Sequence, residues 1–169
     1  INYRLLASTT NTISDEELVK SCMVFSPHFD DETLGCGGTI IRKIDCGADV
    51  SVVFITYGRQ SHYQCMLVDE LSLLRKSEGI SAVGELGVKK ENVFILGYPE
   101  GRLMNHAAQV GHEVNNLLTL HKPEQVFLPY SKEPLMWSSE HVSTTQTVLE
   151  AIHNCSWQIT VYEYPIWAW

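Results

Sequence analysis

The sequence has few basic residues and no cluster of them. Lysine and arginine together number 12 against 20 aspartates and glutamates, so the formal net charge of the 169 residues is −8. Binding to nucleic acids and to anionic membranes depends on clustered lysine and arginine. The longest apolar runs are strand-sized and too short to cross a bilayer. The composition therefore predicts a soluble protein that binds no nucleic acid and has no membrane span.

The five cysteines form no C-x-x-C pair, and their number is odd. A cysteine zinc site and a thioredoxin-like redox motif are therefore unsupported. Scattered free thiols suit a reducing compartment, so we expect a cytoplasmic protein whose cysteines are buried as small apolar side chains. The chain begins with Ile1 rather than Met, however, so a removed signal peptide is left open.

Internal repeats, low-complexity tracts and charge blocks are also absent, so residues 1–169 are predicted to form a single domain. Short apolar runs alternate instead with stretches of helical period. Strands are predicted at 22–26, 50–56, 93–96, 126–128 and 159–164, after a short capped helix at 14–17. Helices are predicted at 33–46, 70–86, 106–121 and 138–153, and Ile41, Leu74 and Leu149 are among the apolar side chains expected on their inward faces.

Strands that alternate with helices are typical of βαβ units, and the second strand is apolar along its whole length, as in a sheet covered on both faces. The predicted fold class is α/β, a three-layer sandwich in which helices cover both faces of a mostly parallel sheet. Such sheets bind ligands at the carboxyl ends of their strands, near a switch in strand order. Polar residues directly after a strand are therefore the first candidates for a functional site.

Four ionisable side chains follow the first strand within five residues, namely His28, Asp30, Asp31 and Glu32. Carboxylates this close repel one another unless a cation neutralises them, and imidazole with carboxylate is the ligand set expected for zinc in a hydrolase. His28 and Asp31 could face one ion across a turn, which leaves Asp30 to handle a proton. The same acids could instead cap the following helix and offset its dipole, and spacing alone leaves both interpretations open.

A third ligand is expected after the fourth strand, because a neighbouring strand ends at the same edge of the sheet. His141 lies there, in the first turn of the last predicted helix. Taken alone, a histidine in such a position is more often a surface or structural residue than a ligand. The other histidines, at positions 62, 106, 112, 121 and 153, have no comparable placement.

Several motifs together resemble those of the PIG-L/LmbE-like de-N-acetylase family. PHFDDETLGCGG at 27–38 resembles the family's His-Pro-Asp-Asp-Glu signature, and Arg75-x-x-Glu78 resembles part of its second helix. GYPEGRL at 97–103 resembles the loop after its third strand, and Glu140-His141 resembles its closing Asp-His motif. The motifs follow the family's order over most of residues 22–164.

The resemblance implies a Rossmann-like fold and zinc-dependent removal of the acetyl group from an N-acetylated amino sugar or glycoconjugate. Carried over position by position, it makes His28, Asp31 and His141 the zinc ligands. It makes Asp30 the general base that acts on the attacking water. It does not determine the number of subunits, and a homo-oligomer stays open.

The resemblance also implies that Arg75 and Glu100 help to hold the sugar. The alternative for Arg75 is an ion pair with Glu78 on the solvent-exposed face of a helix. The alternative for Glu100 is an ordinary acidic residue on a surface loop.

Five positions depart from the family pattern: Phe29 replaces a usual proline, Glu100 a typical aspartate, and Met136, Ser138 and Glu140 stand where the closing motif often has aspartate, histidine and aspartate. That histidine commonly serves as the electrophilic or acid partner. We therefore assign Ser138 to the substrate site, where the metal together with a hydroxyl or a backbone N–H replaces that imidazole. A histidine from another loop, such as His62 or His106, is the alternative substitute.

Two further functions fit the sequence. Because Ser138 replaces that histidine, the chain could be a catalytically impaired domain that binds metal and recognises a glycan. A magnesium-dependent phosphohydrolase built on the acids at 30–32 is the third interpretation, since oxygen ligands suit magnesium. His28 and His141 count against it, because imidazole is a ligand for zinc rather than magnesium.

Overall fold

A computed structural model describes residues 12–57, 68–132 and 139–166. Its strands are β1 (Cys22–Ser26), β2 (Val50–Thr56), β3 (Val93–Tyr98), β4 (Gln125–Pro129) and β5 (Thr160–Tyr164). Its helices are α1 (Asp15–Leu18), α2 (Asp31–Asp45), α3 (Val68–Glu85), α4 (Ala107–His121) and α5 (Ser139–His153), with 3-10 turns at Lys90–Asn92 and Leu103–His106. None of these described helices has the length and apolarity that crossing a membrane requires.

The five strands pair in parallel throughout, in the order β3-β2-β1-β4-β5. Side chains of the central strands alternate between two hydrophobic clusters. Val24 of β1 joins Ile40 of α2 and Val83 of α3 in one cluster. Met23 and Phe25, its neighbours on β1, join apolar side chains of α4 and α5 in the other. The helices thus cover both faces, which confirms the predicted three-layer α/β fold.

The switch in strand order lies between β1 and β4. From β1 the chain moves outward to β2 and β3, then returns to β4 on the other side of β1. Connections that leave in opposite directions open a crevice at the carboxyl ends of these two strands. His28 follows β1, and His141 lies in the first turn of α5, which comes after β4. The topology therefore brings these two histidines to one crevice.

Three predicted core positions were wrong. Ile41, Leu74 and Leu149 were expected to face inward, but they are 42%, 44% and 41% exposed. In α2 the backbone leaves helical geometry at Cys36, which rotates the buried face of the helix. In α5 the buried face consists largely of serine and threonine, which a search for large apolar side chains does not detect.

The cysteines follow the prediction only in part. Cys22 and Cys36 are buried, whereas Cys46 is exposed and Cys155 is half-buried, and these four are unbridged. Both exceptions lie just beyond the carboxyl end of a helix, and Cys155 packs against the edge of the second hydrophobic cluster. Cys65 lies outside the described residues.

Gly35 allows α2 to pack closely against β5. A Cβ at this position would overlap Cδ2 of Tyr164, a buried ring whose hydroxyl donates to the Phe25 carbonyl at 2.7 Å. Gly38, three residues later in the same helix, has nothing within 4 Å of such a Cβ.

We expect Gly35→Ala to lower the free energy of unfolding by about 1–3 kcal/mol, the usual cost of overpacking. Gly38→Ala should instead raise it by up to about 1 kcal/mol, because alanine has the higher helix propensity. Urea denaturation of the two variants measures this difference. Equal effects at both positions would contradict the close contact with Tyr164.

Candidate active site

Three side chains converge at the carboxyl edge of the sheet, between β1 and β4. Asp31 Oδ2 lies 3.1 Å from His28 Nδ1 and 3.2 Å from His141 Nε2, and the two nitrogens are 3.3 Å apart. Asp31 and His141 are buried, whereas His28 is partly exposed. Among the described residues, these three form the one group of histidines, cysteines and acids that could hold a metal ion.

Local hydrogen bonds place each of the three side chains. Asp31 is the first residue of α2, and its Oδ2 accepts a hydrogen bond from the backbone N–H of His28 at 3.0 Å. The turn after β1 therefore carries two of the converging groups in a closed loop. The Thr145 hydroxyl donates to the Pro129 carbonyl at 2.7 Å. That bond ties the middle of α5, one turn beyond His141, to the end of β4 and so helps to position His141.

The candidate site contains a buried negative charge on Asp31. Burial raises the pKa of Asp31, but hydrogen bonds from His141 and His28 outweigh burial and bring that pKa to about 2. Burial lowers the pKa of His28, but its hydrogen bond to Asp31 and the nearby acids outweigh burial, so the net pKa is raised. A buried anion between two imidazoles is an environment that favours a cation.

The donor set fits a tetrahedral metal such as zinc. Ligands about 2.0–2.1 Å from a tetrahedral ion lie about 3.3 Å from one another. The observed separations of 3.1, 3.2 and 3.3 Å match that spacing. Three protein ligands leave a fourth position for water or substrate, which is the pattern of catalytic rather than structural zinc sites.

Asp30 is not part of this triangle and is held by Arg75 of α3. Arg75 Nη2 donates to Asp30 Oδ2 at 2.9 Å and to the Phe29 carbonyl at 3.3 Å. Glu78 lies 3.8 Å from Arg75 Nη1 and is exposed. The ion pair of Arg75 with Glu78 is therefore weaker than the one with Asp30. The Asp30 side chain makes no capping hydrogen bond to α2 and is 46% exposed. It is therefore open to a substrate beside the ligand triangle.

Glu32 turns into the core instead. It is fully buried, and its carboxyl oxygens lie 3.0 Å from the Ser26 hydroxyl and 2.7 Å from the Thr33 hydroxyl. Burial raises its pKa to about 7. The three consecutive acids at 30–32 therefore point to three different environments, which removes the geometric basis for an all-oxygen magnesium site.

The raised pKa of Glu32 predicts a pH-dependent stability. A pKa that rises from 4.5 to about 7 on folding means that the folded state binds the proton more tightly. This contribution to stability is complete at a pH below the pKa of Glu32 in the unfolded chain. It is lost as the pH rises through the pKa of Glu32 in the folded protein.

Glu32→Gln removes this titration. Between about pH 4 and about pH 8, we expect the free energy of unfolding of the wild type to fall by about 3 kcal/mol relative to the variant, at about 1.4 kcal/mol per pKa unit. Urea unfolding of both metal-free proteins across this range measures the difference. A difference that stays constant with pH would contradict the buried neutral carboxyl.

Glu100 lies beside His28 rather than on an open surface. Its side chain is 8% exposed, and its Oε1 lies 4.0 Å from His28 Nε2. The Thr56 hydroxyl, at the end of β2, donates to the same oxygen at 3.4 Å. Glu100 is therefore not the surface-loop acid of the alternative interpretation, and the loop after β3 reaches the crevice.

Phe29, the replacement for the family's usual proline, anchors the ligand-bearing turn to the core. Its ring is buried and lies 4.6 Å from the ring of Phe54. Gly79 of α3 provides the space, because a Cβ there would lie 2.6 Å from Phe29 Cδ1. The sequence did not reveal the contact between Phe29 and Gly79, since these positions are 50 residues apart.

The assignment of Ser138 stays a prediction, because residues 133–138 lie outside the described part of the chain. His62, one possible substitute for the family's histidine, also lies outside it. The other, His106, has its ring 5.5 Å from that of Tyr98. The sequence named Glu140 only as part of the closing motif and assigned it no role; it is buried directly before His141 and accepts a hydrogen bond from the Gly101 backbone N–H.

Two curated relatives are similar to this chain: diacetylchitobiose deacetylase of Thermococcus kodakarensis, 28% identical over 135 residues, and 1D-myo-inositol 2-acetamido-2-deoxy-alpha-D-glucopyranoside deacetylase of Mycobacterium sp. (strain KMS), 26% identical over 174 residues. The first alignment covers 79% of this chain and 49% of the relative. The second alignment covers 89% of this chain and 56% of the relative. The chain therefore spans about half the length of the curated relatives it matches.

A solved structure gives the same result. The structure of N,N′-diacetylchitobiose deacetylase from Pyrococcus horikoshii, complexed with its inhibitor MPG, is similar to this chain with a TM-score of 0.73 and 28% identity. The match covers 79% of this chain and 49% of that one. Residues 23–152 match the model of the PIG-L family, described as GlcNAc-PI de-N-acetylase. Because this match covers well over half of the sequence, the chain belongs to the PIG-L de-N-acetylase family.

Proposed function

We propose that this chain is a zinc-dependent hydrolase that removes the acetyl group from an N-acetylated amino sugar or glycoconjugate. The observation that carries the proposal is the triangle of His28, Asp31 and His141, with Asp30 held next to it. Membership of the family and the deacetylase names of the relatives support the same reaction class.

His28, Asp31 and His141 would hold the zinc. When bound, zinc acts as a Lewis acid that polarises the acetamide carbonyl and lowers the pKa of water. The anionic Asp31 balances part of the charge of the cation, and its hydrogen bond from the His28 backbone keeps it in place.

Asp30 is the general base in this proposal. It takes a proton from the attacking water as the new bond from oxygen to the acetyl carbon forms. It then returns the proton to the sugar nitrogen as the carbon–nitrogen bond breaks, so that acetate and a free amine leave. The hydrogen bond from Arg75 occupies Oδ2, and we therefore assign the proton to Oδ1.

Arg75 and Glu100 are proposed to hold the sugar beside the triangle. The Arg75 side chain is 24% exposed next to Asp30, and its guanidinium can donate to a sugar hydroxyl. The Glu100 carboxylate is a hydrogen-bond acceptor beside His28. Ser138 is proposed as a further substrate contact, in place of the family's histidine.

Acetate and amine release from N,N′-diacetylchitobiose and N-acetylglucosamine by zinc-loaded protein tests this function. We expect release that stops when a chelator removes the metal and returns with zinc. Protein that holds zinc and binds these sugars without releasing acetate would instead be the glycan-recognition domain that Ser138 suggests. Restoration by magnesium alone would contradict the zinc assignment.

A further inference from the structure

A buried carboxylate joins the two halves of the crevice. Glu140 lies in the first turn of α5, directly before His141, and is 5% exposed. Its Oε1 accepts a hydrogen bond from the backbone N–H of Gly101 at 2.5 Å. Gly101 has a φ of +73°, the left-handed conformation that favours glycine. The bond links segments 39 residues apart in the chain.

The bond acts on a loop that carries a proposed substrate residue. Gly101 directly follows Glu100, which lies beside His28. A carboxylate that accepts a backbone N–H forms a charge-assisted hydrogen bond, about twice as strong as a neutral one. Loss of the acceptor would leave that N–H without its partner, and the loop would gain freedom at the residue next to Glu100.

We propose that Glu140 is a positioning residue that holds loop 99–102 in place, so that Glu100 stays beside His28 and the substrate site is preformed. The proposal rests on the proposed sugar deacetylation for the identity of the substrate, but not for the contact itself. Glu140 is outside the His28, Asp31 and His141 triangle, which separates its role from that of a metal ligand.

The length of the side chain matters for this role. Positions 100 and 140 both carry glutamate where the resemblance leads one to expect aspartate. At position 140 the additional methylene carries the carboxylate across to Gly101. An aspartate there would lack that reach, whereas a glutamine would keep both the length and an acceptor oxygen.

Glu140→Asp and Glu140→Gln test the proposal, with Glu113→Asp as the matched control. Glu113 Oε1 accepts a hydrogen bond from the Tyr98 hydroxyl at 2.5 Å, three residues before Gly101, so the control removes a similar contact from the same region. The measurements are hydrogen exchange of the Gly101 amide, the zinc dissociation constant, and binding and turnover of N,N′-diacetylchitobiose.

For Glu140→Asp we expect Gly101 exchange to speed up about tenfold and the KM and dissociation constant for N,N′-diacetylchitobiose to rise about tenfold, in the range of the net contribution of a hydrogen bond to a charged group. Zinc affinity and kcat should stay within about threefold. The variant loses a contribution that stabilises the bound substrate and the transition state equally, and such a loss raises KM without lowering kcat. Glu140→Gln should restore exchange and KM to within about threefold of wild type, and the control should leave Gly101 exchange unchanged.

Unchanged Gly101 exchange in Glu140→Asp would overturn the proposal. So would a variant that exchanges faster but loses zinc affinity or kcat with KM unchanged, because Glu140 would then support the metal site. If the wild type binds the sugar but releases no acetate, the proposed function fails. The exchange and sugar-binding measurements would still decide the role of Glu140.

Discussion

Asp30→Asn is expected to abolish acetate release while zinc binding and folding are retained. Asparagine is nearly isosteric and keeps an oxygen that can accept the hydrogen bond from Arg75, which the structure places 2.9 Å from Asp30. It cannot take a proton from water, however, so the general-base contribution of about 10²–10⁴-fold should be lost from kcat. Steady-state rates on N,N′-diacetylchitobiose and the zinc content of the variant measure both parts.

Glu78→Gln is the matched control for that experiment. Glu78 also lies near Arg75, at 3.8 Å, but its side chain is exposed on α3. Neutralising it should change the rate by less than about twofold, as expected for an exposed ion pair. Full activity in Asp30→Asn would remove Asp30 as the base, and an equal loss in both variants would indicate a general effect of charge around Arg75.

His141→Ala is expected to prevent zinc binding. The imidazole supplies one of the three converging ligand atoms, with its Nε2 3.2 Å from Asp31 Oδ2. Losing an outer-shell partner costs about 10–100-fold in metal affinity, and losing a ligand should cost more than that. Competition with a chelator gives the dissociation constant. Added zinc should raise the unfolding temperature of the wild type but not of this variant.

His153→Ala controls for a general effect of histidine loss. His153 is exposed in the last turn of the same helix, twelve residues beyond His141. We expect its removal to leave zinc affinity unchanged. Zinc affinity in His141→Ala equal to that of the wild type would contradict the triangle as the metal site and would favour ligands elsewhere in the chain.

Most of the fold could be predicted from local pattern. β1 and β2 begin and end where the sequence predicts, because uninterrupted apolar runs have one stable place, inside a sheet covered on both faces. β3 is longer than predicted and ends at Tyr98. The prediction ended at Leu96, before Gly97, a residue type that usually weakens a strand, yet the strand continues through Gly97, whose φ is +73°.

Part of the candidate site could also be predicted from the sequence. His28 and Asp31 lie in one turn, so their meeting depends on local geometry alone. His141 is more than a hundred residues away, and it could be placed only through the position of β4 beside β1. Its place after the fourth predicted strand made His141 a candidate from the sequence, and the resemblance to the family supported that candidate. The sheet order supplies the physical reason that the ligand reaches the same point.

The sequence by itself determined the class of fold, the strand ends that bear polar residues and the residue types of a zinc site, because periodicity and short spacing are properties of a single segment. Tertiary structure alone decided what each acid does. Asp30 meets Arg75, Glu32 is buried against hydroxyls, and Glu140 reaches Gly101. The role of a carboxylate depends on its burial and its partners, and these partners lie on segments that come together only when the sheet and its helices pack.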